Sequence, residues 1–188
     1  MINLLTEERL GQGLDYQAFR SRVNRNGEIF DEAWQESPVF SDADLATLRK
    51  LPPLTVVAIA EDWCPDVFHT LPTWAKLGEL LPDWDCRIFP LDENPDLMEA
   101  FLYKGRAKRI PVYAFFDQRG YLQAWWSGRC RQAQEALDGH LGGRTFAELS
   151  AEEKSGLTEF LNAGYRESFR RQNFLEIMAL LKAFFHVS

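Results

Sequence analysis

The sequence predicts an α/β fold: a mixed sheet reached in the order β-α-β-α-β-β, with additional helices at the N- and C-terminal ends. Three observations predict it. Residues 54–60 (LTVVAIA) are a continuous apolar run rich in β-branched side chains, as expected of a strand buried on both faces. Two stretches of helical periodicity separate that run from the next two short apolar runs. The last two runs are joined by Asp117-Gln118-Arg119-Gly120, a turn sequence that implies a hairpin.

The front of the chain reads as helical. Tyr16, Phe19 and Val23 recur at helical spacing within 15–36, and Phe30, Ala33 and Trp34 continue the stripe after a break at Asn26-Gly27. Ser41 is an N-cap with Asp42 and Asp44 behind it, and Leu45, Leu48 and Leu51 form the apolar side of a short helix that ends at Pro52-Pro53. After the strand at 54–60, residues 65–81 read as a helix with Val67, Phe68, Leu71, Ala75 and Leu80 inward and Pro72 inside it. Residues 87–91 (RIFPL) are a second strand. Asn94-Pro95 starts a helix with Leu97, Met98, Phe101 and Leu102 as its buried face, and Gly105 stops it. Residues 111–116 are a third strand and 121–126 a fourth. This order implies parallel crossovers first and an antiparallel hairpin last.

Beyond Cys130 lies a polar stretch to about Gly143. Ser150 and Glu153 form a capping-box pattern that opens a stripe of Leu157, Phe160, Leu161, Gly164, Tyr165 and Phe169. A second stripe runs through Phe174, Ile177, Met178, Leu181, Phe184 and Phe185, and the last helix is expected to cover a sheet face. The adjacent pairs Phe115/Phe116 and Trp125/Trp126 send one ring to each side of the sheet and read as core. Residues 1–50 are thus a helical extension, 51–130 the core, and 131–188 helices packed on it, all within one domain of ordinary length.

Composition narrows the function classes. With 46% hydrophobic residues, six Trp and 14 Phe, the chain has ample core material and is not disordered. No run of about 18 apolar residues suggests a membrane span, and the acidic start lacks the basic and apolar parts of a secretory leader; a cytoplasmic location is expected. A net charge of −7 argues against nucleic acid or an anionic membrane as partner. Three Cys and three His form no metal-ligand spacing. Three is also a poor number for a disulfide framework, so the question becomes whether one thiol is reactive.

The informative stretch is Glu61-Asp62-Trp63-Cys64-Pro65-Asp66, where the buried strand turns into a helix. Cys64 falls at the helix N-terminus, where unpaired N–H groups and the positive end of the dipole favour a thiolate. The neighbouring acids oppose that effect. His69, five residues on, is off the face of Cys64, so a Cys–His pair is not expected.

Here the sequence resembles the thioredoxin-like superfamily. Trp63-Cys64-Pro65 sits at that family's active-site junction, Pro72 matches its helix-kinking proline, and Ile110-Pro111 matches its cis-proline. Gly128 matches a glycine that borders the substrate groove. The whole chain is similar to the small bacterial thioredoxin-family group with an E-D-W-C-x-D motif. The resemblance implies a thioredoxin-like sandwich, Cys64 as catalytic thiol, and a substrate groove of Trp63, Pro65, Asp66, Ile110, Pro111 and Gly128. Two departures count against general disulfide reduction. The second active-site cysteine is replaced by Val67, and the family's buried carboxylate position holds Ala58.

What remains is a monothiol site acting on a disulfide-bearing protein or a small thiol, with glutathione or another low-molecular-weight thiol as co-substrate and no other cofactor. The alternative is a binding module that recognises a peptide or protein beside Pro111 without turnover. Cys86 precedes a parallel strand, lies at the far end, and reads as a buried structural residue. Cys130 follows the returning fourth strand on the near side and is the candidate resolving thiol. Arg106, Lys108 and Arg109 lead into Ile110-Pro111 and are candidates for binding a substrate anion.

Overall fold

The computed structural model describes residues 5–36 and 39–187. Nine α-helices and four strands occur among the described residues: α1 (Glu7–Gly11), α2 (Tyr16–Arg22), α3 (Gly27–Gln35), α4 (Asp42–Leu48), β1 (Thr55–Ala60), α5 (Pro65–Leu80), β2 (Asp85–Pro90), α6 (Pro95–Glu99), β3 (Val112–Phe116), β4 (Leu122–Ser127), α7 (Arg131–Leu141), α8 (Ala151–Gly164) and α9 (Arg170–Phe185). A π-helical turn, Tyr165–Phe169, joins α8 to α9 without a break.

The sheet has the order β2-β1-β3-β4. β1 runs parallel to β2, with Ala58 opposite Ile88, and antiparallel to β3, with Ala58 opposite Tyr113. Every β1 residue after Thr55 is buried, as the apolar run requires of a central strand covered on both faces. The second connection does not make the expected parallel crossover. Pro90 ends β2 beside Ala60, and β3 begins at Val112 beside Ile59, so the chain re-enters the sheet from the end it left. The intervening α6 has only five residues, a rise of about 7.5 Å. It also stops short of Gly105: Ala100 is its C-cap, and a bridge between Tyr103 and Ala107 folds residues 103–107 into a tight turn.

The paired aromatics divide as expected. Tyr113 and Phe115 meet Trp74 of α5 on one face, while Trp125 meets Phe101 on the other. α9 lies on the α5 face, where Phe174 contacts Trp74. At the opposite edge Leu14 exchanges two 2.8 Å backbone hydrogen bonds with Ile88, so the N-terminal segment covers the outer strand. A Cβ on Gly13 would come within 2.8 Å of the Phe89 ring, which is why this approach takes glycine.

Two helices fall where no apolar stripe announces them. α1 is capped by Thr6. α7 occupies the polar stretch after Cys130, and its one buried residue is Ala133. Together with Cys130, Leu149, Leu157, Leu161, Tyr165 and Phe169, Ala133 forms a second, smaller core. The long C-terminal helix is tied to the N-terminal extension by Arg166 with Glu32, Arg170 with Glu36, and Arg171 with Asp44.

Candidate functional site

Cys64 is the N-cap of α5, and Pro65 takes the first helical position, where a missing N–H costs nothing. The Cys64 thiol is 7% exposed and donates to the Ile110 carbonyl at 3.6 Å. Ile110 precedes Pro111 through a cis peptide bond, and the Gly128 N–H donates to the Pro111 carbonyl at 2.8 Å. Trp63, 48% exposed, stands beside the cysteine. The structure therefore brings Cys64, Ile110, Pro111 and Gly128 together around the N-terminus of α5.

Asp66 does not line a groove. It is fully buried, with its carboxylate turned inward to accept from the Tyr165 hydroxyl at 2.5 Å and from Arg129 at 2.7 and 3.0 Å. The reason is local: the second position of α5 faces the C-terminal helices, and a carboxylate there needs a cation and a donor. Burial pushes its pKa up, against the pull of Arg129 and Tyr165. The Cys64 thiol is pushed up to about 12, first by burial and then by the Asp66 charge, while the N–H groups of Val67 and Asp66 and the Arg129 guanidinium act in the opposite direction. The acids that the sequence places around Cys64 are thus joined by an arginine 65 positions away, and burial still decides the sign.

Behind Asp66 lies a buried polar layer. His69 offers Nε2 to Asn162 Oδ1 at 2.9 Å and Nδ1 to the Arg170 guanidinium at 3.0 Å, and its ring stacks on Tyr165. Arginine can only donate, so Nδ1 is the acceptor and Nε2 carries the proton. Burial lowers the His69 pKa to about 4. Thr70 shares a 2.7 Å hydrogen bond with Tyr113. Arg129, Tyr165, Asn162 and Arg170 escape sequence reasoning because they arrive from distant segments; the one signal was an acid among apolar residues in the first turn of α5.

The two other cysteines occupy separate surroundings. Cys86 is buried in β2 opposite Val56, and burial pushes its thiol up to about 12. Cys130 caps α7 within the second core, fully buried, and its thiol points to the Phe169 carbonyl at 3.7 Å. All three are free thiols. The structure thus turns the Cys130 and Cys64 sulfurs to different carbonyls.

The basic segment also divides. Lys108 pairs with Glu99 at 3.0 Å. Arg106 is exposed in the 103–107 turn. Arg109 packs on Gly128: its stem lies against the glycine, its guanidinium lies 4.0 Å over the Tyr103 ring, and it donates to Gln134.

On the other side of Trp63 the N-terminal extension closes a cavity of about 470 Å³ with the loops that follow β1 and β2, lined among others by Phe19, Arg22, Glu61 and Asp92. Asp62 anchors this arrangement by accepting from the backbone N–H groups of Asn24 and Arg25. Glu61 accepts from the Asp92 N–H, and its pKa is raised by burial and by the acids around it. Among the described residues no cluster of three His, Cys, Asp or Glu could hold a metal ion, and no helix is long and apolar enough to cross a membrane.

A cysteine capping the helix after a central strand, facing the peptide before a cis-proline on a mixed four-stranded sheet, defines a thioredoxin-like protein. The chain belongs to the thioredoxin family, whose sequence model matches residues 13–147. No curated protein matches the chain. Among solved structures it is similar to a Pseudomonas aeruginosa protein of unknown function, at 15% identity and a TM-score of 0.69, covering 96% of this chain and 99% of that one. It is similar also to an HIV epitope scaffold, at 17% identity and a TM-score of 0.66, covering 95% and 99%. These likenesses show the fold.

Proposed function

We propose that the chain binds an extended segment of a partner, a protein or a small thiol peptide, in the groove where Cys64 meets Ile110-Pro111, as a recognition module more than a turnover catalyst. One observation carries the reading: Cys64 is buried as a neutral donor to Ile110, beside an inward-turned Asp66 and with Val67 where a resolving thiol would stand. A thiol raised to about 12 stays protonated near neutral pH. Half-exposed Trp63 offers an aromatic surface at the rim of the groove.

The second reading is monothiol exchange through Cys64, with a low-molecular-weight thiol such as glutathione completing the cycle. It is favoured by the N–H groups of Asp66 and Val67 directed at the sulfur. Cys130 as the resolving thiol would need its buried side chain to leave the second core. Three free cysteines suit a reducing compartment such as the cytoplasm.

The test pairs alkylation with capture. Iodoacetamide labelling of Cys64, read by mass spectrometry from pH 6 to 11, is expected to climb throughout without a plateau near neutrality. Cys64→Ser is expected to retain any partner that the wild-type chain retains. A plateau below pH 8, together with loss of a disulfide-linked partner in Cys64→Ser, would establish the exchange reading instead.

A further inference from the structure

We propose that the cavity beside Trp63 receives an arginine side chain of a partner protein, its guanidinium stacked on Trp63 and paired with the carboxylates of Glu61 and Asp92. The site lies apart from the meeting of Cys64 with Ile110 and does not rest on the reading of that thiol.

The cavity, about 470 Å³, lies beyond the carboxyl ends of the parallel strands β1 and β2. Glu61, Asp62 and Trp63 follow β1 directly, and Asp92 and Glu93 come just after β2. Ligands of α/β sheets bind at that end, where loops are set by rigid strands. The third wall is the N-terminal extension, from Phe19 to Arg25. Two sets of bonds hold it there. Asp62 accepts from the N–H groups of Asn24 and Arg25 at 2.9 and 3.1 Å, and the Asn26 amide donates to the Asp62 carbonyl at 2.9 Å. Arg22 pairs with Glu93 at 3.1 Å. The walls are thus joined before any ligand arrives, which lowers the ordering cost of binding.

These bonds leave the lining unevenly charged. Arg22 and Glu93 offset each other, and Asp62 is held by N–H groups. The Asp92 carboxylate has no partner among the described residues, and Glu61 accepts there only from the Asp92 N–H, at 2.9 Å. Arg25, the other cation of the lining, is exposed and forms no ion pair among the described residues. Burial raises the Glu61 pKa, and the charges of Asp92, Asp62 and Glu93 act in the same direction. What the cavity lacks is a cation. Trp63, 48% exposed, supplies an aromatic face beside the carboxylates, and a cation that reaches both gains from each. A guanidinium suits this pairing better than an ammonium, being planar, weakly hydrated and able to stack and fork at once. An arginine also brings an aliphatic stem to cover Val23 and Pro90, apolar lining that a bare small cation would leave to water. Trp63, Asp92 and Glu93 are exposed, so the mouth opens on the protein surface, where a side chain borne by a larger body can enter. A net charge of −7 draws a basic partner toward it.

The experiment is an NMR titration of the ¹⁵N-labelled full chain with four probes. Three are acetylated, amidated glycine pentapeptides with a central arginine, lysine or citrulline, the last being the neutral isostere of arginine. The fourth is ethylguanidinium. Occupancy is read from the Trp63 indole N–H, identified by its loss in Trp63→Phe, and from the amides of Asp62 and Asp92. The arginine peptide is expected to bind wild type about 10-fold tighter than the citrulline peptide, the scale of an exposed ion pair joined to a cation–π contact. The lysine peptide is expected to fall between them. Glu61→Gln combined with Asp92→Asn is expected to remove the preference while the rest of the amide spectrum is unchanged. Equal binding of the arginine and citrulline peptides to wild type, or no shift at Trp63 with any probe, overturns the proposal without reliance on any variant. A preference that survives the double substitution overturns it too. Ethylguanidinium binding as tightly as the arginine peptide overturns the assignment to a partner protein, because the cavity would then take a free small cation.

Discussion

Gly128→Ala gives the sharpest test of how Arg109 packs beside Pro111. Two separable effects follow from the structure. Gly128 has φ +86, a left-handed conformation that costs an L-residue about 1–2 kcal/mol. Part of that is offset, by about 0.4–1 kcal/mol, because alanine restricts the unfolded chain. The new Cβ would also lie 2.2 Å from Arg109 Cδ and 2.8 Å from its Cγ, so the arginine must leave. Its departure forfeits the stacking on Tyr103, about 0.5–1 kcal/mol, and the hydrogen bond to Gln134, about 0.5–1.5 kcal/mol. The expected destabilisation is about 2–3 kcal/mol.

Gly105→Ala is the control. It has φ +71 but nothing within 4 Å of a built Cβ, so it carries the backbone effect alone, about 0.5–1 kcal/mol. Urea unfolding followed by tryptophan fluorescence measures all of these, because cooperative unfolding gives a free energy from midpoint and slope. The decisive measurement is the double-mutant cycle. In an Arg109→Ala background, Gly128→Ala is expected to cost no more than Gly105→Ala. If Gly128→Ala costs the same with and without the arginine, the packing of Arg109 over Gly128 is refuted.

Two further outcomes concern pH. His69 has its folded pKa lowered to about 4, below an unfolded value of about 6.5, so the unfolded chain binds the proton first. Its contribution is complete above about 6.5 and is lost as pH falls toward 4; the imidazole resonances should show no titration between pH 8 and 5, and His69→Gln should flatten the acid limb of stability. Cys64 and Cys86 have folded values of about 12 against about 8.5 unfolded. Their contribution is complete below about 8.5 and is lost as pH rises toward 12, so the urea midpoint should fall across that window, and less steeply in Cys86→Ala than in wild type.

The fold and the centre of the site were legible in the chain for a physical reason. The β-branched run at 54–60 reads as a buried strand, the Pro65 that follows Cys64 suits the first turn of a helix, and together they place the thiol at a strand–helix junction. Ile110-Pro111 and Gly128 were placed by resemblance, and the structure sets both beside that thiol. Local sequence also fixed the caps at Ser41 and Ser150, since a capping box is closed within four residues.

Tertiary structure alone decided the rest. Whether Cys64 is a poised thiolate or a covered thiol depends on burial and on Asp66, whose partners Arg129 and Tyr165 lie 63 and 99 positions away. The basic segment at 104–109 reads as one patch, yet Glu99 takes Lys108 and Tyr103 takes Arg109. The direction of β3 shows only in its antiparallel pairing with β1, and α7 formed from a polar sequence because one small face could complete a second core. Periodicity, caps and turns act over a few residues and can be read along a chain, whereas desolvation and charge pairing depend on which distant side chains arrive.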